Sequence, residues 1–177
     1  MIEAAQLTPV VVRLLRVFAD GIFEMRTLKN LAATVGVESL TSDALLACFD
    51  LPGGVVLQLA AEDEQGNRVG AAIVPLCGWD TGAAEDLALH PERATYDALY
   101  DQALDTATST IGPPDDNGTD EGRFPFRWSM WLGKSGLMAL QQSHYDYCPD
   151  INVWVRARPE GQLLPSQPFV NWLISAS

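Results

Sequence analysis

The sequence predicts an α+β fold: antiparallel strands in two groups, with helices packed on one side. Three observations carry that expectation. Val55 to Ala61 and Arg68 to Leu76 bracket the polar loop Glu62-Asp63-Glu64-Gln65-Gly66-Asn67, the pattern of a hairpin. After His90-Pro91, apolar residues recur every three or four positions, the period of one buried helix face. Arg123 to Arg158 then reads as three further strands, and it holds three of the five tryptophans of the chain. With 177 residues the chain suits a single domain, residues 1–177, with 1–78 and 90–177 as a subdivision within it.

Taken in order, Thr8-Pro9 reads as an N-cap followed by proline at the first helical position. The helix over Val10 to Phe18 should end near Asp20-Gly21, although three successive valines leave a strand open. Thr27 is placed to cap a second helix, in which Leu28, Leu31, Ala32 and Val35 fall at helical spacing and Gly36 supplies the stop. Ala44 to Phe49 fits a buried strand or a short helix, and a run this short does not discriminate. Pro75 places the end of the second hairpin strand at a sheet edge or at the strand's exit. Residues 77–90 read as a long connection.

The helix after His90-Pro91 should bury Tyr96, Leu99, Tyr100, Ala103, Leu104, Ala107 and Ile111. Asp97, Asp101 and Asp105 then fall four apart on its outer side as a solvated acidic face, with Arg93 able to relieve only Asp97. Gly112-Pro113-Pro114 ends the helix, and Asp115 to Gly122 reads as a flexible acidic loop. Gly133-Lys134-Ser135-Gly136 turns the next strand into its neighbour. The tail from Ser166-Gln167-Pro168 starts a last short helix whose Phe169, Trp172 and Leu173 should pack back on the domain. If Ala44 to Phe49 is a strand, the order suggests a duplicated α-β-β-β unit.

The net charge is −12, and it is unevenly spread. Asp80 to Glu121 contains eleven acids against the single base Arg93, whereas Gly122 to Arg158 contains five bases and two acids. Such a chain repels nucleic acid and anionic membranes and draws in a basic partner. No apolar run approaches the length of a bilayer span, and Met1-Ile2-Glu3 lacks the basic start of a secretory signal, so the expectation is cytoplasmic. Cys48, Cys77 and Cys148 form an odd set without CxxC spacing, which points to free thiols.

Alternation along the last three strands carries the functional expectation. Phe126, Trp128, Met130 and Leu132 should face the core, leaving Arg127, Ser129 and Trp131 outside. Ile151, Val153 and Val155 should do the same, leaving Asn152, Trp154 and Arg156 outside. Trp131, Trp154, Arg127 and Arg156 would thus share one aromatic and basic face, the residue types that anchor protein interfaces, unless a helix or the tail covers it. His144, Asp146 and Cys148 alternate as zinc ligands can, but paired-cysteine and HExxH spacings are missing, so they read as a polar loop. Gly53-Gly54 precedes no helix or lysine and makes no phosphate loop. Carboxylate pairs such as Glu85-Asp86 and Asp115-Asp116 lie in loops without the apolar surroundings that tune a general acid. The expectation is a non-enzymatic protein without cofactor or metal.

Two resemblances extend this reading. Val12-Arg13-Leu14-Leu15, Thr27 to Val37 with its Leu-Ala-x-x-x-Gly-Val run, and Thr41 to Leu46 together resemble a winged helix-turn-helix over roughly the first 75 residues. That implies a DNA-reading helix over Ser39 to Phe49 and a wing at Val55 to Val74. Yet that helix would carry Asp43 and no base, whereas groove-reading helices rely on arginine and lysine. A broader likeness rests on the Thr-Leu-opened helix ending in glycine, the hairpin, the helix ending in Gly-Pro, Arg127-Trp128 and Val153-Trp154-Val155. In these features the chain resembles small uncharacterised actinobacterial α+β proteins of immunity-protein type. The resemblance implies binding to another protein, such as a basic toxin or effector, or a role like that of a secretion chaperone.

Overall fold

The structure is a computed structural model that describes residues 2–39, 45–81, 90–119, 126–145 and 148–157; side chains 144, 145 and 148 are left aside. Strand β1 (Ile2–Ala4) leads into helix α1 (Pro9–Asp20). The predicted cap is present: Thr8 Oγ1 accepts from the Val11 N–H at 3.4 Å, and Pro9 occupies the first turn, where a missing N–H costs nothing. Val11, Val12, Leu14, Leu15, Phe18 and Ala19 are buried, which resolves the valine run as helix. Helix α2 (Met25–Ala32) begins earlier than its sequence signal. Glu24 is the N-cap residue, and Thr27 instead donates its hydroxyl to Glu24 Oε2 at 2.8 Å from inside the first turn.

Two strands follow, β2 (Val37–Ser39) and β3 (Leu46–Leu51), so the ambiguous segment is a strand. The hairpin is formed by β4 (Val55–Ala61) and β5 (Val69–Trp79). Pro75 does not mark an edge. β5 lies in the middle of the sheet and runs on to Trp79, absorbing the proline in a register shift between Pro75 and Cys77 against the neighbouring strand. The connection expected from residue 77 therefore begins only after Trp79.

Helix α3 (Arg93–Ile111) buries Tyr96, Tyr100, Ala103 and Ala107 and stops at Gly112, whose φ of 92° suits glycine. The expected loop at residues 115–122 contains an edge strand, β6 (Asp116–Thr119). β7 (Arg127–Leu132), β8 (Gly136–Tyr145) and β9 (Cys148–Ala157) complete the sheet. The turn between β7 and β8 is fastened to the end of α1. Asp20 accepts from the Lys134 N–H at 2.9 Å, and Ala19 O accepts from the Ser135 N–H at 3.1 Å. The helix expected near Phe169 lies outside the described residues.

All neighbouring strands are antiparallel, in the order β2-β3-β4-β5-β9-β8-β7-β6, with β1 beside the end of β5. This is an α+β fold. Each half of the chain supplies a helix followed by a four-stranded meander, and the two meanders meet at the β5–β9 seam. The repeat foreseen in the sequence thus has one strand more per unit than expected. One main core, lined by α1, α2 and α3, runs under both halves on a single face of the sheet. No described helix is long and apolar enough to cross a membrane.

Candidate functional site

Register decides which side chains share a face. On the helix-covered side, Trp131 stands opposite Met138, Met138 opposite Val155 and Val155 opposite Ala72. On the other side the corresponding row runs Met130, Ala139, Trp154, Ile73, Gln58 and Cys48. Trp131 and Trp154 therefore lie on opposite faces, and the shared aromatic face expected from alternation does not exist.

The alternation of β7 is inverted with respect to expectation. Trp131 is 1% exposed and donates its indole N–H to Gly112 O at 2.9 Å, where α3 ends. Ser129 is buried with its hydroxyl 2.9 Å from the Tyr100 hydroxyl. Arg127 lies over the Tyr100 ring, 4.5 Å from its centroid, and donates to Asp101 Oδ1 at 2.8 Å and to Asp97 O at 2.9 Å. Each polar side chain of this face finds a partner on α3, which is why the helix can cover it. Phe126, in contrast, reaches the main core as expected.

The acidic face of α3 is correspondingly altered. Asp97 meets Arg93 at 3.0 Å, as its spacing predicts, and also accepts from Gln142 Nε2 at 2.8 Å. Gln142 Oε1 in turn accepts the Arg127 backbone N–H at 3.0 Å. Asp97 and Asp101 are thus members of a network that clamps α3 to β7 and β8. Of the three aspartates expected in solvent, Asp101 and Asp105 match that description: both are exposed, on a shallow depression with Ala98, Gln102 and Ser109, whereas Asp97 is partly buried.

The face on which none of the described helices packs, here the helix-free face of the described residues, was the one missed. Trp128, Met130 and Leu132, assigned to the core, belong to it, as do Trp154 and Arg156. Met130, Leu137 and Ala139 form a small second cluster with Trp128, Leu132 and Trp154 against it. Gln141 and Asn152, side by side in the next row, are also buried. Across the seam the face stays apolar but opens: Leu46, Cys48, Gln58, Ala60, Ala71 and Ile73 are partly exposed, and Val56 is 36% exposed. Arg156 donates its Nε–H to Gly70 O at 3.3 Å, and burial lowers its pKa. A signal was present in the sequence. β7 is bulky on both faces, as a strand covered on both sides is, and only the arginine and serine suggested which face was wet.

Burial favours the protonated form of both described thiols. Burial, with Asp150 adding a like-charge contribution, pushes the Cys77 thiol up to about 11, so it is protonated at neutral pH. Burial likewise raises Cys48, with Asp50 contributing. Tyr96 donates to Asp150 O at 2.6 Å and is strongly raised, first by burial. Trp79 donates to Glu92 Oε2 at 3.1 Å and meets His90 edge to face. Among the described residues, no group of three or more His, Cys, Asp or Glu is gathered to hold a metal. The side chains of His144, Asp146 and Cys148 lie outside the described residues.

The segment assigned to a recognition helix in the helix-turn-helix resemblance contains, in its described part, the last residue of β2 and the first four of β3. Comparison with protein-family models, curated proteins and solved structures gives no match for this chain.

Proposed function

We propose that the protein is a non-enzymatic binding protein that captures another protein, in the manner of an immunity protein or a secretion chaperone. The single observation that carries this reading is the open half of the helix-free face. There Leu46, Val56, Ala60, Ala71 and Ile73 form a partly exposed apolar surface on β3, β4 and β5, with Trp154 at its border. A partner that covers this apolar face, which no described helix packs on, would gain about 25 cal/mol per Å² of apolar area removed from water. Arg156 stands at the Trp154 end, and the exposed Asp50 is at the opposite margin. The net charge of −12 favours a basic partner by attraction at long range. Asp101 and Asp105, both exposed on α3, contribute to that field, whereas Trp131, Arg127 and Asp97 serve the contacts between α3 and the sheet described above.

Affinity capture from the native host tests the reading, with products of neighbouring genes as the first candidates. Wild type should retain one protein in stoichiometric amount; Ile73→Glu and Val56→Glu should lose it, and Asp105→Asn should keep it. A partner held equally by both sheet variants, or no stoichiometric partner at all, overturns the proposal.

A further inference from the structure

On the helix-covered side, the solvent face of α1 differs from the rest of this acidic chain. Val10, Arg13 and Val17 form one exposed stripe along it, and Ile22, 73% exposed, follows its end. Three of the six exposed large hydrophobic side chains described thus lie on or beside α1. Arg16, Lys29, Arg68, Arg93 and Arg127 each meet a carboxylate of the chain. Among the described residues, the exposed bases without an ion pair are Arg13, Arg26 and Lys134. Arg13 lies on α1, Lys134 is held at its end by Asp20, and Arg26 follows four residues after Ile22. The neighbouring helix α3 packs against α1 and presents the opposite sign, with Asp101 and Asp105 exposed on its shallow depression.

We propose that a second copy of this chain occupies this surface, in a twofold dimer with α1 of each copy laid over α3 of the other. Both helices run towards the same end of β7. Helix α1 ends where Asp20 accepts from the Lys134 N–H, and α3 where Gly112 O accepts from the Trp131 indole. A twofold axis along and between the two helices exchanges them while keeping each level of the layer in place. Arg13 stands seven residues before Asp20 and Asp105 seven before Gly112, so both lie about 10 Å back, at about 1.5 Å per residue. By the same count Val17 is at the level of Ser109, and Val10 at that of Gln102, both on the depression. Past the helix ends, the exposed Arg26 and Lys134 on one side face the exposed Asp115 and Asp116 that follow α3. Charge selects this layer for self-association. Copies with a net charge of −12 repel at long range, so a contact between them needs opposite charges close together, and here both signs stand side by side. An anionic lipid surface would attract Arg13 but be held off by Asp105 beside it. The open sheet face is on the other side of the molecule, so either proposal stands if the other fails.

Sedimentation equilibrium of the full chain over a series of concentrations tests the dimer. Wild type should follow a monomer–dimer equilibrium. Arg13→Asp and Asp105→Arg should each weaken dimerisation by about tenfold or more, because the reversed pair occurs twice in a twofold contact. Both sites are exposed, so the circular dichroism of each variant should match wild type. The two substitutions move the net charge in opposite directions, so a loss common to both is not an effect of net charge. An equal mixture of the two variants should regain the wild-type association, since in the mixed dimer both contacts again join opposite charges. A wild type that stays monomeric overturns the proposal, whether or not it binds phosphatidylglycerol vesicles. So does a mixture that stays dissociated, unchanged association in either variant, or growth of wild type beyond the dimer.

Discussion

Arg127 separates the structural reading from the one its sequence context suggests. As an exposed anchor it would matter little for folding; as the clamp between α3 and β7 it should matter measurably. Arg127→Met keeps the aliphatic stem and removes three close interactions, besides a long 3.9 Å ion pair with Asp97 Oδ1. The ion pair with Asp101, itself half in solvent, contributes about 0.5 kcal/mol. The guanidinium over the Tyr100 ring contributes about 0.5–1 kcal/mol, and the hydrogen bond to Asp97 O about 1 kcal/mol. Asp97 keeps Arg93 and Gln142, so no bare charge is left behind. The loss should total about 2 kcal/mol, or about 4–8 °C in Tm for a chain of this length. Urea unfolding followed by circular dichroism measures it. A cycle with Asp101→Asn should return a coupling of about 0.5 kcal/mol, because the two groups touch. A loss below about 0.5 kcal/mol, the range of ordinary surface substitutions, would refute the clamp. Capture of the partner should be unchanged in Arg127→Met at temperatures where it is folded.

Two further outcomes follow from the same geometry. Trp131→Ala should cost about 3–5 kcal/mol, since it empties a buried site and orphans Gly112 O, and urea midpoints should place it well above Trp154→Ala, whose indole is partly exposed and unpaired. Stability should fall on the alkaline side. Cys77 has its folded pKa raised from 9.0 to about 11, so its contribution is complete below pH 9 and is lost as pH rises toward 11. Tyr96 and Tyr100, also raised, extend the decline above about pH 10. Cys77→Ala should flatten the first part of that slope, and an unchanged slope would contradict the assignment.

Much of the fold was legible because its signals are local. Thr8-Pro9 starts a helix wherever it stands, since cap and ring act on the next few backbone groups. The period of Tyr96, Tyr100, Ala103 and Ala107 marks a buried stripe whatever it packs against. The hairpin around Glu62 to Asn67 and the turn at Gly133 to Gly136 rest on chemistry within a few residues. Asp116 to Thr119 escaped notice because an acidic edge strand is held by pairing with β7, and its own composition reads as loop.

Direction was another matter. Strand alternation determines that Trp128 and Trp131 face opposite ways, but not which way is inward, since both faces of β7 carry bulk. Arg127 and Ser129 made one face look wet; Asp97, Asp101 and Tyr100, some thirty residues earlier in the chain, made it dry by pairing with them. The sequence by itself determined most of the longer elements, the class of fold and the strong negative charge. Tertiary structure alone decided which sheet face the helices took, because that choice depends on partners brought together from distant segments. With it went the separation of Trp131 from Trp154, and the transfer of the candidate site to the other side of the sheet.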